Sequence, residues 1–91
     1  MKRVSNVKYL RDYSLQILFN DGETKVVNFD KLVDKGGYYF GPLKDIKLFK
    51  KVSLDEFNYT ICWPNGADLS PDILYEMGVE VKKEPKKPSS R

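Results

Sequence analysis

The residue types that usually carry enzyme chemistry are scarce in this 91-residue chain. It contains no histidine and a single cysteine, Cys62, so it lacks the commonest general base and cannot build a Cys/His zinc site. No glycine-rich phosphate-binding pattern occurs either. Carboxylates are the remaining candidates, and Asp68 is the most constrained because it lies between an Asn-Gly turn and a helix start. We expect Asp68 to fix that turn by a hydrogen bond to the backbone, with an acid or base role as the exception. The prediction is a protein that is not an enzyme and needs no cofactor or metal.

Aromatic residues supply a second set of candidate functional residues, which would act by binding. Three of them stand in a row between glycines, from Tyr38 to Phe40, and either close one end of the core or contact a partner protein. For Trp63 we expect a place in the core with a partner for its indole N–H, and stacking on a ligand is the alternative. The candidate partner-contact residues are Tyr38, Tyr39, Phe40, Trp63, Asn65 and Asp68.

The positive charge is concentrated at the C-terminal end. The chain carries 16 basic and 13 acidic residues, a net charge of +3, and residues 82–91 hold five of the basic residues and one of the acidic ones. Residues 1–81 are therefore close to neutral, and a nucleic-acid-binding body would more often be positive itself. Residues 82–91 include no residue that builds a core, so we predict one α+β domain over 1–81 and a disordered basic tail over 82–91.

The basic tail is the only part of the chain for which nucleic acid is a candidate partner. A solubilising tail is the more ordinary role of such a charge run, and weak nonspecific contact is the alternative. The candidate nucleic-acid contacts are Lys82, Lys83, Lys86, Lys87 and Arg91. The single cysteine and the lack of a signal-peptide pattern predict a cytoplasmic protein, with Cys62 as a small buried residue. No apolar run approaches the ~20 residues of a membrane span, so no membrane partner is expected.

The first half of the chain predicts a meander of strands. Residues 3–10 alternate loosely, with Val7 and Tyr9 on one side and Val4 and Leu10 on the other, and a clear second strand and a third at 24–29 follow. Asp21-Gly22 marks the hairpin between the second and third strands. A two-residue loop there would place Ile17 opposite Val26, whereas a three-residue loop would place Leu15 opposite Val27, and the register stays open. In the second strand the apolar residues alternate with polar ones, and only Leu18 breaks the pattern. The apolar residues are Tyr13, Leu15, Ile17 and Phe19.

The second half predicts short helical turns, two more strands and a last helix. Turns are expected at 31–33, ended by Gly36-Gly37, and at 42–46, followed by a fourth strand over 47–54. The fourth strand would direct Phe49 or Val52, together with Leu54, inward. A fifth strand would bury Phe57, Tyr59, Ile61 and Trp63 on one face. Ser70-Pro71 should start a helix with Ile73, Leu74 and Met77 on its buried face, Gly78 should end it, and Val79 and Val81 could dock afterwards. The fold class is α+β, with an antiparallel sheet of about five strands.

Several segments resemble the bacterial domain-of-unknown-function family 2442. They are Phe19–Glu23, Pro42-Leu43, and Trp63–Pro71 with Leu74-Tyr75, and the likeness covers about residues 4–78. The resemblance implies a small α+β domain of bacterial or phage origin without established catalytic residues. Some members are encoded beside a small partner protein in what look like toxin–antitoxin pairs, and others are joined to a helix-turn-helix domain. It therefore implies a protein-interaction module, antitoxin-like or accessory to a small neighbour-encoded protein. With only a short tail after Gly78, we expect no helix-turn-helix here and no direct, sequence-specific binding of DNA.

Overall fold

A computed structural model describes residues 2–81. Within them lie a four-stranded sheet in the order β1-β2-β3-β7 and a three-stranded sheet in the order β4-β5-β6, both antiparallel. The α+β prediction is confirmed, with the strands divided between two small sheets. The strands are β1 Val4–Arg11, β2 Ser14–Phe19, β3 Thr24–Asn28, β4 Ser53–Asp55, β5 Thr60–Cys62, β6 Asp68–Leu69 and β7 Val79–Glu80. The helices are α1 Asp30–Lys35, α2 Ile46–Phe49 and α3 Pro71–Met77, with a 3₁₀ turn at Pro42–Lys44.

The hairpin between β2 and β3 uses the three-residue loop. Phe19 N donates to Glu23 O over 2.9 Å and Gly22 N donates to Phe19 O over 3.0 Å, which encloses residues 20–22. Gly22 has a φ of +88°, the left-handed conformation that this loop requires at its last position. Leu15 consequently lies opposite Val27, and this settles the register that the sequence left open.

The first strand is irregular near its start. Val4 pairs with Phe19 and Asn6 pairs with Leu18, so an extra residue is accommodated between them as a β-bulge. The bulge shifts the alternation, and Val4 therefore faces the core together with Val7. The expectation that these two valines lie on opposite sides is wrong for this reason.

A helix replaces most of the expected fourth strand. Asp45 caps α2 by accepting a hydrogen bond from Lys47 N over 3.0 Å, and Phe49 at the helix end is fully buried. Strand β4 begins only at Ser53, so the predicted strand over 47–54 is wrong for its first six residues. The alternation did not reveal this because the single turn of α2 and an extended strand can both direct Phe49 inward.

The expected fifth strand is also shorter than its pattern indicates. The Asp55 carboxylate accepts hydrogen bonds from Phe57 N and Asn58 N at 3.1 and 3.2 Å and from Asn58 Nδ2 at 2.9 Å, which folds 55–58 into a turn. Tyr59 follows with a φ of +58°. Phe57 is therefore 89% exposed and Tyr59 is 48% exposed, instead of facing the core with Ile61. A side chain that hydrogen-bonds the following backbone groups competes with strand pairing, and at Asp55 the turn forms in place of the strand.

One core fills the space between the sheets and the helices. At its centre the ring of Phe49 lies 5.3 Å from the Tyr13 ring and 5.7 Å from the rings of both Phe29 and Trp63. The rings of Phe29 and Trp63 lie 5.6 Å apart, and most of these contacts are edge to face. The buried apolar residues are Val4, Leu15, Ile17, Phe19, Val27, Phe29, Val33, Leu43, Phe49, Ile61, Trp63, Ala67 and Leu74.

Helix α3 starts and ends where the sequence predicts. Ser70 Oγ accepts a hydrogen bond from Ile73 N at 3.2 Å, Pro71 is the first helical residue, and Gly78 N donates to Leu74 O at 3.0 Å. Leu74 is buried and Met77 packs beside it, but Ile73 is 46% exposed, so its place on the buried face is wrong.

The chain continues from α3 into β7, which pairs with β3 and extends the first sheet. Val79 and Val81 thus dock as predicted, through backbone pairing and with exposed side chains.

No helix within residues 2–81 has the length and apolar character needed to cross a bilayer. The predicted tail and its five candidate nucleic-acid contacts lie outside the described residues.

Candidate functional site

Trp63 directly follows β5 and belongs to the buried core. It is 3% exposed, and its indole Nε1 donates to the Phe49 carbonyl oxygen over 2.9 Å. The rings of Phe29 and Phe40 lie 5.6 and 6.1 Å away, edge to face. The prediction that Trp63 lies in the core with a partner for its N–H is confirmed. Because its side chain is buried, Trp63 cannot contact a partner as one of the six candidate residues.

The turn after Trp63 repeats the geometry of the first hairpin. Trp63 N donates to Ala67 O and Gly66 N donates to Trp63 O, both over 3.0 Å, and Gly66 has a φ of +95°. Asn65 Oδ1 accepts a hydrogen bond from Ala67 N at 3.2 Å and thereby fixes the turn. Asp68, which we expected to do this, is exposed on β6 opposite Cys62, and its carboxylate makes no hydrogen bond within residues 2–81. The backbone explains the difference, because Asp68 lies beyond the turn and pairs with Cys62 of β5, whereas Asn65 lies within the turn.

The three consecutive aromatic residues separate into two kinds. Phe40 packs against the core beside Trp63, which agrees with the closing role. Tyr38 and Tyr39 are 85% and 49% exposed, with their rings edge to face at 4.9 Å. The core-closing alternative therefore holds for Phe40, and contact with a partner stays a prediction for Tyr38 and Tyr39.

The exposed tyrosines are tied to the turn after Trp63. Asn65 Nδ2 donates to the Tyr39 carbonyl oxygen over 2.9 Å. A Cβ atom added at Gly66 would lie 3.3 Å from the Tyr39 ring, so the ring rests on the glycine. Asn65 thus bonds its own turn through Oδ1 and the tyrosine segment through Nδ2. We call Tyr38, Tyr39, Asn65 and Gly66 together the tyrosine surface.

Glycines close the tyrosine segment on both sides. Gly36 and Gly37 have φ values of +80° and +100°, and Gly41 N donates to Gly37 O over 3.0 Å. A Cβ atom on Gly41 would lie only 2.6 Å from that oxygen, so no larger residue fits the loop as it stands. The backbone of 37–41 is consequently a closed loop that presents the two tyrosine rings to solvent.

The titratable groups with shifted pKa values lie outside the tyrosine surface. A hydrogen bond from Lys2 lowers the pKa of Asp21, with the Lys2 Nζ to Asp21 Oδ2 distance at 2.8 Å. Hydrogen bonds from Asn58 lower the pKa of Asp55 in its turn. Within residues 2–81 no group of three or more histidine, cysteine, aspartate or glutamate side chains could hold a metal ion. These carboxylates fix turns, and Cys62 is half-buried with its Sγ 3.8 Å from Ser53 Oγ.

Sequence reasoning missed two sets of exposed apolar residues. One is Phe57 with Tyr59, and the turn pattern Asp55-x-x-Asn58 was the signal that could have revealed it. The other consists of aliphatic residues on the outer side of the four-stranded sheet, including Leu18, Val79 and Val81. Leu18 was visible as a break in the alternation of β2, but its neighbours follow only from the pairing of β7 with β3.

Comparisons with known proteins identify a family and give no activity. A family model described as "Protein of unknown function (DUF2442)" matches residues 4–80, nearly the whole described part of the chain. Searches of curated proteins and of solved structures found no match.

Proposed function

The chain belongs to the DUF2442 family of proteins of unknown function, and we propose that this member is a non-catalytic protein-interaction module. Its role in that proposal is antitoxin-like or accessory, bound to a small protein encoded by a neighbouring gene. The family resemblance supports the neighbour-encoded partner. The tyrosine surface supports binding of a protein, and it is the observation that carries the proposal.

Two features make the tyrosine surface suitable for a protein partner. Tyrosine is enriched among the residues that dominate binding energy, because it offers a large apolar ring and a hydroxyl with little rotamer entropy to lose. Tyr38 is 85% exposed, so most of its ring is available for burial in an interface. The hydrogen bond from Asn65 to the Tyr39 carbonyl and the closed 37–41 loop hold the segment in place before binding. Preorganisation of this kind lowers the ordering cost of association.

A capture experiment tests the proposal. The tagged protein is compared with a Tyr38→Ser/Tyr39→Ser double variant in extracts of the native host, and bound proteins are identified by mass spectrometry. Ile73→Ser is the matched control, since Ile73 is an exposed apolar residue on α3. We expect one small protein to be retained by the wild type and by Ile73→Ser and lost from the tyrosine variant. Equal retention by all three proteins, with the fold of each verified by circular dichroism, would exclude the tyrosine surface as the binding site.

The charge of residues 82–91 supports a second candidate function. Five basic residues in ten could bring weak binding of nucleic acid, in which each phosphate contact releases a counterion and makes affinity salt-dependent. Binding of a single-stranded oligonucleotide that falls steeply with salt and disappears on deletion of 82–91 would support this function. Salt-independent binding would exclude it.

A further inference from the structure

The four-stranded sheet has an outer face that is largely exposed to solvent. On its inner face Leu15, Ile17 and Phe19 are at most 1% exposed, so the residues between them on β2 point outward. Leu18 is one of these and is 37% exposed. The basic and aliphatic residues on this outer sheet face are Lys8, Arg11, Leu18, Val26, Val79 and Val81.

Four neighbouring side chains on the outer sheet face are aliphatic. Val26 on β3 pairs directly with Val79 on β7, and Val79 is 70% exposed. Val81 N donates to Thr24 O over 3.1 Å, and Thr24 in turn lies opposite Leu18, so the four aliphatic side chains lie in neighbouring positions. A solvated sheet face normally carries polar side chains at such positions. A shallow cavity of about 390 Å³ opens beside them, lined by Gln16, Gly22, Glu23, Thr24 and Val81.

The charged residues at the outward strand positions of this face are both basic. Lys8 pairs with Gln16 and Arg11 pairs with Ser14, which places both cations outward on β1. Within residues 2–81 no outward position of these four strands carries a carboxylate. Glu80 lies opposite Lys25, whose ammonium contacts the Tyr75 ring of α3 on the inner side at 3.7 Å, so Glu80 shares the inner side. Lys8 and Arg11 are therefore complementary to acidic groups of a partner lying over β1, and the aliphatic side chains are complementary to apolar groups lying over β2, β3 and β7.

From this pattern we infer that the outer sheet face binds an acidic amphipathic segment of a partner protein. The inference rests on the proposed role as an interaction module, but it uses a surface separate from the tyrosine surface. Aspartate or glutamate side chains of the segment pair with Lys8 and Arg11, and its apolar side chains cover Leu18, Val26 and Val79. A sheet that binds single-stranded nucleic acid stacks bases on aromatic side chains, and the exposed apolar residues here are all aliphatic. The face therefore favours a protein segment over nucleic acid.

Binding of designed peptides to the isotope-labelled full chain, followed by nuclear magnetic resonance, tests the inference. The probe is an amphipathic helix of about 18 residues, long enough for five helical turns, with leucine on one face and glutamate on the other. Its control replaces every glutamate with lysine. We expect the acidic peptide to shift the amide resonances of Leu18, Val26 and Val79, and the basic peptide to leave them unchanged.

Variants of the outer sheet face sharpen the experiment. Lys8→Glu/Arg11→Glu should weaken binding of the acidic peptide by about tenfold or more, because both ion pairs become repulsive. Lys31→Glu/Lys35→Glu on α1 is the matched control for charge and should change the affinity little. Leu18→Thr/Val79→Thr should also weaken binding, with Ile73→Thr as the matched apolar control. Threonine is a good strand former, so the two exposed substitutions keep the sheet intact.

Three results would overturn the inference. The first is equal binding of the basic peptide, or an acidic peptide that leaves the outer sheet face unchanged. The second is tighter binding of a single-stranded oligonucleotide at the same face. The third is self-association of the free chain that Leu18→Thr/Val79→Thr abolishes, which would assign the face to a second copy. The inference and the proposed function can fail separately, because the peptide titration probes the outer sheet face and capture by the Tyr38→Ser/Tyr39→Ser variant probes the tyrosine surface.

Discussion

Trp63 shows how one side chain links the two halves of the core. Its ring packs among Phe29, Phe40 and Phe49, and its N–H satisfies the carbonyl at the end of α2. The same residue begins the turn that carries Asn65 and, through it, the tyrosine surface. A core residue is thereby connected in two steps to the surface that we assign to binding.

Truncation of Trp63 should unfold much of the protein. Trp63→Ala removes a buried ring and leaves a cavity, which costs about 3–5 kcal/mol of unfolding free energy, while Asp68→Asn should change it by less than ~0.5 kcal/mol because Asp68 is exposed. Urea denaturation of both variants gives the two values. A Trp63→Ala protein of wild-type stability would contradict its place in the core.

Asn65 can be tested separately from the fold. In Asn65→Asp the Oδ1 acceptor for Ala67 N remains, but the donor to the Tyr39 carbonyl is replaced by an oxygen that repels it. We expect a folded protein with increased mobility of Tyr38 and Tyr39 in nuclear magnetic resonance relaxation and weaker partner binding. Unchanged relaxation of both tyrosines would show that the hydrogen bond does not hold the segment.

The two hairpins that flank the core share the same loop geometry. In each, an aromatic residue precedes a three-residue loop that ends in a left-handed glycine, Gly22 in one and Gly66 in the other. They differ in the side chain before the glycine. Asp21 accepts a hydrogen bond from Lys2, whereas Asn65 donates one to the Tyr39 carbonyl oxygen. The first hairpin is therefore structural, and the second also positions the tyrosine surface.

Substitution of the two glycines should separate these roles. A Cβ atom at Gly22 meets nothing within 4 Å, so Gly22→Val should cost about 1–3 kcal/mol from its positive φ alone and leave partner binding unchanged after correction for stability. Gly66→Ala also places a side chain at positive φ, and in addition its Cβ presses on the Tyr39 ring, so it should weaken binding. Thermal melts and binding titrations of both variants measure this difference; equal binding by the two would contradict it.

The elements that the sequence predicted best are those set by local signals. Asp21-Gly22, Gly36-Gly37 and Ser70-Pro71 each determine a turn or a helix end by their own backbone preferences. The pattern failed where a side chain competed with the strand, as Asp55 does in the turn that exposes Phe57. It also failed at β1, because a bulge depends on the partner strand and has no local signature.

The candidate site was predictable in its residues more than in its geometry. The sequence singled out Tyr38, Tyr39 and Asn65, but nothing in it indicates that Asn65 reaches a carbonyl 26 positions earlier. The outer sheet face was hidden for a similar reason. Its group of four aliphatic side chains is complete only when β7, at the end of the described chain, pairs with β3.

At the scale of the whole molecule, β7 introduces an electrostatic conflict. Glu80 hydrogen-bonds Glu23, and the neighbouring carboxylate raises the pKa of Glu23 above its ordinary value of 4.5. Because the folded state then holds this proton more tightly than the unfolded state, Glu23 reduces stability as the pH rises above 4.5. Asp21 and Asp55 act in the opposite direction: their lowered pKa values add stability above about pH 4, which is lost in more acidic solution.

Glu23→Gln should therefore stabilise the protein at neutral pH. The variant should melt at a higher temperature than the wild type at pH 7, and the difference should shrink as the pH falls toward the ordinary carboxyl pKa of 4.5. Glu56→Gln, an exposed substitution in the β4–β5 turn, is the control. A Glu23→Gln protein that is less stable than the wild type at pH 7 would show that the carboxylate pair is not repulsive.

Site-specific photocrosslinking tests the central claim, that the tyrosine surface binds a protein, most directly. A benzophenone amino acid replaces Tyr38 in one variant and Ile73 in another, and both are irradiated in cells of the native host. Tyr38 and Ile73 are both exposed, so each probe can reach a neighbour. We predict one discrete protein adduct from position 38 that is absent from position 73. No adduct at position 38, or the same adducts at both positions, would contradict the claim.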